Sequence, residues 1–492
     1  MLFNSIEFLI FLPIVFLLYW YVFQRSLKAQ NLFIVVVSYI FYGWWDWRFL
    51  ILIAFTSFIS WGSGVLIERN REKHNTAYLQ QKGCKIITLT NIIINILILI
   101  IFKYYNFFVN SFIEAFSLIG ITLHSPSLQL ILPVGISFYT FQALSYSIDV
   151  HRKSITPTKD IVAFFAYVSF FPQLVAGPIE RATNLLPQFY KSRTFNYEKA
   201  IDGMRQILWG FFKKVVIADN CAYFVNIIFN DYQQANSLML VLGAIFFSFQ
   251  IYGDFSGYSD IAIGTAKLFG IELKMNFNVP YFSRNIAEFW RRWHISLNTW
   301  FRDYIYIPLG GSRCSKIKQF RNTMIVFTIS GLWHGANWTY IIWGIYHGIL
   351  FLPLMFSGNN RKYLDIASKG KQFPSIKDTI HIISTFMLVM LGWIIFRADS
   401  ISTAMQYIKR MCKLSPALPN IQDFGFSKIS ILSTIFFIIL TIIIEWIQRE
   451  KDYIIDTRMI NHQAIRWGIY FLILFSIIIF TGKQETFIYF QF

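Results

Sequence analysis

Apolar residues in this chain come in long runs that recur from Leu9 to Phe480. A membrane-crossing helix needs roughly 20 mainly apolar residues. Runs of that character cover 8–23, 32–42, 49–67, 86–102, 107–121, 128–148, 161–176, 207–228, 238–252, 324–331, 340–356, 380–396, 429–446 and 465–480. Several are too short to cross alone. These are expected to be re-entrant or interfacial, which is tolerated only where protein or a wet cavity covers the backbone. The pattern predicts an all-α polytopic membrane protein, a helical bundle with about 11 transmembrane helices plus re-entrant and interfacial ones. One continuous membrane domain, 1–492, is the simplest organisation.

Composition excludes the main rival. Of 492 residues, 55% are hydrophobic and 14% charged, and the mean hydropathy is +0.48. A soluble domain carries about a quarter charged residues, so a chain of about three soluble domains does not fit. The 53 Phe, 26 Tyr and 15 Trp suit a bilayer, whose interfaces favour Trp and Tyr. Between spans, 44 Lys and Arg against 26 Asp and Glu leave a net charge of +18. These cations sit in loops, as expected for segments retained in the cytoplasm, and no separate basic stripe points to nucleic acid. Cys84, Cys221, Cys314 and Cys412 form no CxxC pair, which argues against a zinc or redox motif. No metal site is expected. Residues 1–23 lack a basic n-region and a small-residue cleavage site, so they are read as a retained first span.

The basic loops also orient the chain. Arg25 and Lys28 follow the first run, and Arg69, Arg71, Lys73, Lys82 and Lys85 follow the third. Two spans separate these loops, so both are expected in the cytoplasm with the N-terminus outside. The connection Gly43-Trp44-Trp45-Asp46-Trp47 then belongs at the outer interface, where aromatic residues anchor. Residues 151–159 and 180–214 are also basic and are assigned to the cytoplasmic side. No internal repeat is evident, which weakens an inverted-repeat transporter.

Residues 253–321 differ in kind: less apolar, richer in Arg and dense in polar–aromatic clusters. Ionisable groups between membrane spans are costly and usually functional. Of eight histidines, His74, His124, His151, His381 and His462 lie in or beside loop-like stretches and are read as solvated or interfacial. His334 stands in Gly331-Leu332-Trp333-His334-Gly335-Ala336-Asn337-Trp338. Glycines there allow close backbone approach, the tryptophans wall off water, and an imidazole is a good candidate base. The competing reading is a histidine that packs two helices. His294 lies in Trp290-Arg291-Arg292-Trp293-His294-Ile295-Ser296-Leu297. On one continuous helix, Trp290, His294 and Leu297 would share a face while Arg291 and Arg292 point elsewhere. Arg302 and Asp303 could pair locally, or Arg302 could hold a phosphate-bearing donor. An interfacial amphipathic helix with snorkelling arginines is the alternative. For His347, helical packing is the default. HExxH, GxGxxG, GxxxxGK[ST] and GxSxG do not occur, which leaves zinc-protease, dinucleotide, P-loop and nucleophile-elbow chemistry unsupported.

Two stretches together resemble a known family. Arg291-Arg292-Trp293-His294-Ile295-Ser296-Leu297, followed by Trp300-Phe301-Arg302-Asp303-Tyr304-Ile305-Tyr306-Ile307-Pro308-Leu309-Gly310-Gly311, resembles the signature of the membrane-bound O-acyltransferases (MBOATs). The segment Gly331–Trp338 resembles the second signature, which holds that family's catalytic histidine; both lie within 253–350. Three more stretches are similar to the bacterial alginate O-acetylation branch. They are Pro133-Val134-Gly135-Ile136-Ser137-Phe138-Tyr139-Thr140-Phe141-Gln142, Phe171-Pro172-Gln173-Leu174-Val175-Ala176-Gly177-Pro178-Ile179 and Tyr252-Gly253-Asp254-Phe255-Ser256-Gly257-Tyr258-Ser259-Asp260. Met1-Leu2-Phe3-Asn4-Ser5 and Phe396-Arg397-Ala398 also agree with that branch.

The resemblance implies acyl transfer from a thioester to a hydroxyl, with an MBOAT-type helical bundle in the bacterial cytoplasmic (inner) membrane. It implies no bound cofactor, with acetyl-CoA or another acyl thioester, free or on an acyl carrier, as co-substrate. The expected partners are an extracytoplasmic acetyltransferase, a polysaccharide acceptor and membrane lipids, not nucleic acid. His334 would take the hydroxyl proton as general base, and His294 would position or polarise. Asn337, Trp333 or His294 could donate to the oxyanion. Arg291, Arg292, Arg302 and Arg313 would suit the donor's phosphates or anionic lipid headgroups. Two other readings are a transporter or flippase for a lipid-linked or polyanionic envelope substrate, and a structural subunit of a polymer-export complex.

Overall fold

The computed structural model describes every residue except 75, 124–129, 414–420, 452–461, 482–484, 486 and 489–492. His124 and the start of the apolar run at 128–148 therefore lie outside the described residues. The described chain is 75% helical and contains no strand. Six helices are long and apolar enough to cross a bilayer: Trp47–Lys73, Ala77–Ser117, Ser237–Leu268, Trp338–Phe356, Ile376–Arg397 and Lys428–Gln448. Ile6–Val22, Leu27–Gly43 and Gln463–Ile479 are apolar but shorter. The sequence expectation of about 11 also counts runs such as 161–176, which folds as the short helix Ile161–Ser169 before a break.

The chain packs as two compact units. The first comprises Met1–Gly203 with Thr265–Lys274. Polar side chains act as glue between its apolar helices, because a polar group in hydrocarbon needs a partner. Ser63 Oγ lies 2.6 Å from Ser147 Oγ, and Asn91 Nδ2 donates to that same Ser147 oxygen at 2.7 Å. These bonds join Leu50–Lys73, Ala77–Leu99 and Ile136–His151. Trp44, Trp45 and Trp47 are all exposed, as an interfacial cluster requires. Within the expected basic loop at 180–214, by contrast, Glu180, Arg181 and Arg193 are buried. Arg193 donates to the side chains of Gln30 and Asn31, which holds the chain against Leu27–Gly43.

The second unit comprises Met204–Gly264 with Met275–Phe492. Its long helix Ser237–Leu268 does not stop at Tyr252, where the apolar run ends. It continues straight through Gly253-Asp254-Phe255-Ser256-Gly257, because the polar groups there meet buried cations. Lys213 pairs with Asp260 at 2.6 Å; Lys214 pairs with Asp254 at 2.7 Å and Asp219 at 2.8 Å. Both lysines come from the π-helical segment Phe212–Ala218, whose wider turn loosens the carbonyls. Asn220 Nδ2 takes up two of them, donating to Val215 and Val216 at 3.1 Å each. Further along, Lys316–His334 and Trp338–Phe356 form a tight antiparallel pair. A Cβ on Gly331 would run into the Tyr340 carbonyl, and one on Gly344 into the Phe327 carbonyl.

Candidate active site

His334 is the last residue of Lys316–His334, and Gly335 follows in an extended conformation. A side chain at Gly335 would collide with the Tyr340 ring, so glycine there lets the chain turn directly into the next helix. The imidazole is 3% exposed. Trp333 and Trp343 stand edge-on to it, each with ring centroids at 5.0 Å, and Phe396 lies at 5.5 Å. This aromatic wall excludes water from a titratable ring.

His294 sits at a break, not within one helix. Ile286–Arg292 ends, Trp293 is extended, and His294 adopts a left-handed conformation with φ 44° as N-cap of Ile295–Phe301. Such a φ is uncommon outside glycine and is held here by tertiary hydrogen bonds. Asn298 Nδ2 donates to the carbonyls of Trp290 and Trp293 at 2.6 Å each. Ile295 N–H donates to the Asn276 carbonyl at 2.9 Å, and Asn278 N–H donates to the Arg292 carbonyl at 2.9 Å. The shared helical face expected for Trp290, His294 and Leu297 is thus replaced by two short helices with the imidazole at their joint. The ring packs edge-on to Phe255 at 4.6 Å and faces Phe277 at 6.4 Å. His294 lies outside the long apolar helices, and burial pushes its imidazole down to about 3.

Three of the sequence-singled residues share contacts. His294 and His334 have ring centroids 6.5 Å apart, and Trp333 touches both, at 5.8 Å and 5.0 Å. Two imidazoles at that separation cannot bond directly but leave room for one hydroxyl oxygen between them. The other five make different contacts. Asn337 caps Trp338–Phe356, accepting from Thr339 N–H at 3.0 Å and donating to the Asp399 carbonyl at 3.2 Å. Arg302 pairs with Asp303 at 2.7 Å at the surface. Arg291 donates to the carbonyls of Asn360 and Tyr363 at 2.7 Å each. Arg292 pairs with Glu288 at 2.9 Å and donates to the Asp365 carbonyl at 3.0 Å. The last two arginines therefore pin the connection between Trp338–Phe356 and Ile376–Arg397.

Residues 153–372 match the sequence model of the membrane-bound O-acyltransferase family. The chain is 38% identical to a probable alginate O-acetylase, AlgI, of Pseudomonas aeruginosa, over 84% of this chain and 75% of the relative. The chain belongs to the membrane-bound O-acyltransferase family. It is also 32% identical to a peptidoglycan O-acetyltransferase of Helicobacter pylori, over 100% of this chain and 98% of that one. A teichoic acid D-alanyltransferase of Bacillus subtilis is 32% identical over 56% of this chain and 70% of its own length. MBOAT membership makes this multi-pass membrane protein an O-acyltransferase, which sets aside the transporter and scaffold readings.

Several residues at the site carry no local signal in the sequence. Asn276 is fully buried beside His294, 18 positions away along the chain. Phe255 and Phe396 do fall inside stretches that resemble the alginate branch, which was the available clue. His347 is fully buried between Trp290 at 4.9 Å and Trp343 at 5.1 Å, in keeping with packing.

Proposed function

We propose that this protein moves an acetyl group from a cytoplasmic thioester, acetyl-CoA, toward an extracytoplasmic partner that completes O-acetylation of an envelope polysaccharide. The reading places it in the bacterial cytoplasmic membrane. One observation carries it: two buried histidines face each other across a gap of one hydroxyl, on a chain similar along most of its length to an alginate O-acetylase. In this scheme the hydroxyl oxygen attacks the thioester carbonyl, a C–O bond forms, and the C–S bond breaks. His334 takes the hydroxyl proton and returns it to the departing thiolate, which leaves as a free thiol. Arg302 and Arg313, both exposed, are the cations proposed for the donor's phosphates.

The full-length similarity to a peptidoglycan O-acetyltransferase supports a second acceptor, the cell wall. One comparison separates the two. Ester-linked acetate is released by mild base from wall and exopolysaccharide fractions, with and without the gene. Loss from the exopolysaccharide supports the first reading and loss from the wall the second; no loss from either overturns both. The donor is tested separately by supplying radiolabelled acetyl-CoA to purified protein in nanodiscs together with its partner. Neither binding nor consumption of label would sink the thioester assignment.

A further inference from the structure

Asn276 Oδ1 is a meeting point for donors. It accepts from Ser296 N–H at 3.2 Å and from the Ser296 hydroxyl at 2.9 Å, and it lies 3.2 Å from His294 Nδ1. Its Nδ2 donates to Ser259 Oγ at 3.3 Å on the long helix. Hydrogens are not needed to orient this amide. A backbone N–H can only donate, so the Asn276 atom that Ser296 meets is the oxygen. The His294 nitrogen facing that same oxygen must then carry a hydrogen. A neutral imidazole has one N–H only, and burial holds this ring in its neutral form. Its second nitrogen, Nε2, therefore presents a lone pair.

We propose that Asn276 is a positioning residue that fixes His294 as its Nδ1–H tautomer, so that Nε2 accepts a hydrogen bond from an N–H or O–H of the substrate. The inference rests on the reading that His294 serves acyl transfer. It goes further by choosing between the two roles open to that ring. A histidine locked in this way cannot donate to a developing oxyanion, so His294 is no part of the oxyanion hole. It grips and orients a substrate donor while His334 handles the proton. Phe255 edge-on and Phe277 on its face keep the ring plane from turning. The left-handed backbone at His294 aims the ring and its neighbour Ser296 at one acceptor.

The test is nitrogen NMR of the full-length protein in nanodiscs with labelled histidine, taking the His294 signals as those lost in His294→Gln. The expected spectrum has Nδ1 protonated and Nε2 bare at neutral pH. Asn276→Leu, similar in size but without an acceptor, should lose that preference and lower kcat at least about tenfold, with KM changed much less. Asn276→Asp supplies an oxygen in the same place, so it should keep the tautomer and restore most of the turnover; a merely structural asparagine would show no such split. Should the Leu variant fail to fold, the wild-type and Asp spectra still decide. A hydrogen found on Nε2 overturns the proposal, as does a Leu variant with unchanged tautomer or turnover. Wild-type turnover in His294→Gln, with the wild-type tautomer as stated, would instead overturn the acyl-transfer reading of His294 on which the proposal rests.

Discussion

Gly210 and Gly257 touch backbone to backbone: a Cβ on Gly210 would stand 2.6 Å from the Gly257 carbonyl oxygen, and one on Gly257 would stand 2.7 Å from that of Gly210. The contact is reciprocal, so neither helix can yield by moving a side chain. It brings the segment that carries Lys213 and Lys214 against the long helix that carries their carboxylates. Gly257→Ala should therefore destabilise the protein by about 1–3 kcal/mol, as overpacking does. Gly468 has nothing within 4 Å of its would-be Cβ, so Gly468→Ala should leave the melting temperature level or slightly raised. Thermal unfolding in detergent checks both; equal melting temperatures would refute the close approach.

His334 should be the position most sensitive to substitution for activity. A general base contributes about 10²–10⁴-fold, so His334→Ala should remove most acyl transfer while the protein still reaches the membrane. His334→Gln keeps size and hydrogen bonding. A packing histidine tolerates that exchange and a base does not. Near-wild-type O-acylation by the Gln variant at normal expression would return His334 to a packing role.

Lys214 should matter for folding more than for turnover. It is 7% exposed and serves two carboxylates, Asp219 and Asp254. Breaking a buried pair by removing one partner leaves uncompensated charge and costs about 3–5 kcal/mol. Lys214→Met should therefore fall sharply in yield and melting temperature. Adding Asp219→Asn and Asp254→Asn to it should recover part of the loss. No recovery in the triple variant would show that the charges are not what Lys214 offsets.

The cytoplasmic assignment of the basic segments is checked by cysteine labelling. Lys82 and Lys199 are exposed positions within them, so Lys82→Cys and Lys199→Cys are suitable reporters. The exposed native Cys412 has first to become serine. A membrane-impermeant reagent should leave both reporters unlabelled in intact cells and label them after lysis. Strong labelling from outside would invert the topology.

How much of this could be read along the chain depended on whether the signal was local. Around His334, glycines, tryptophans and the histidine lie within a few residues of each other, and the tight helical pair they form was legible. Around His294 the sequence looked like one amphipathic helix, because local spacing cannot reveal that Asn276 and Asn298 take over the backbone hydrogen bonds. The end of the apolar run at Tyr252 read as the end of a span for the same reason. What keeps that helix going is a pair of lysines about 40 positions earlier. Lys213 and Lys214 in turn read as part of a solvated basic loop, since a buried cation and an exposed one look alike without their partners.

The π-helical segment Phe212–Ala218 makes chain length itself a constraint. Its i→i+5 turn holds one residue more than an α turn. Deleting any single residue there would let the backbone relax to ordinary winding at little local cost. It would also rotate the two flanking stretches against each other by about 100°, the angle one residue subtends in an α-helix. The lysines would swing away from their carboxylates, although every remaining amino acid was unchanged. In a library of insertions and deletions, this apolar stretch should thus tolerate a conservative exchange far better than a change of one in length.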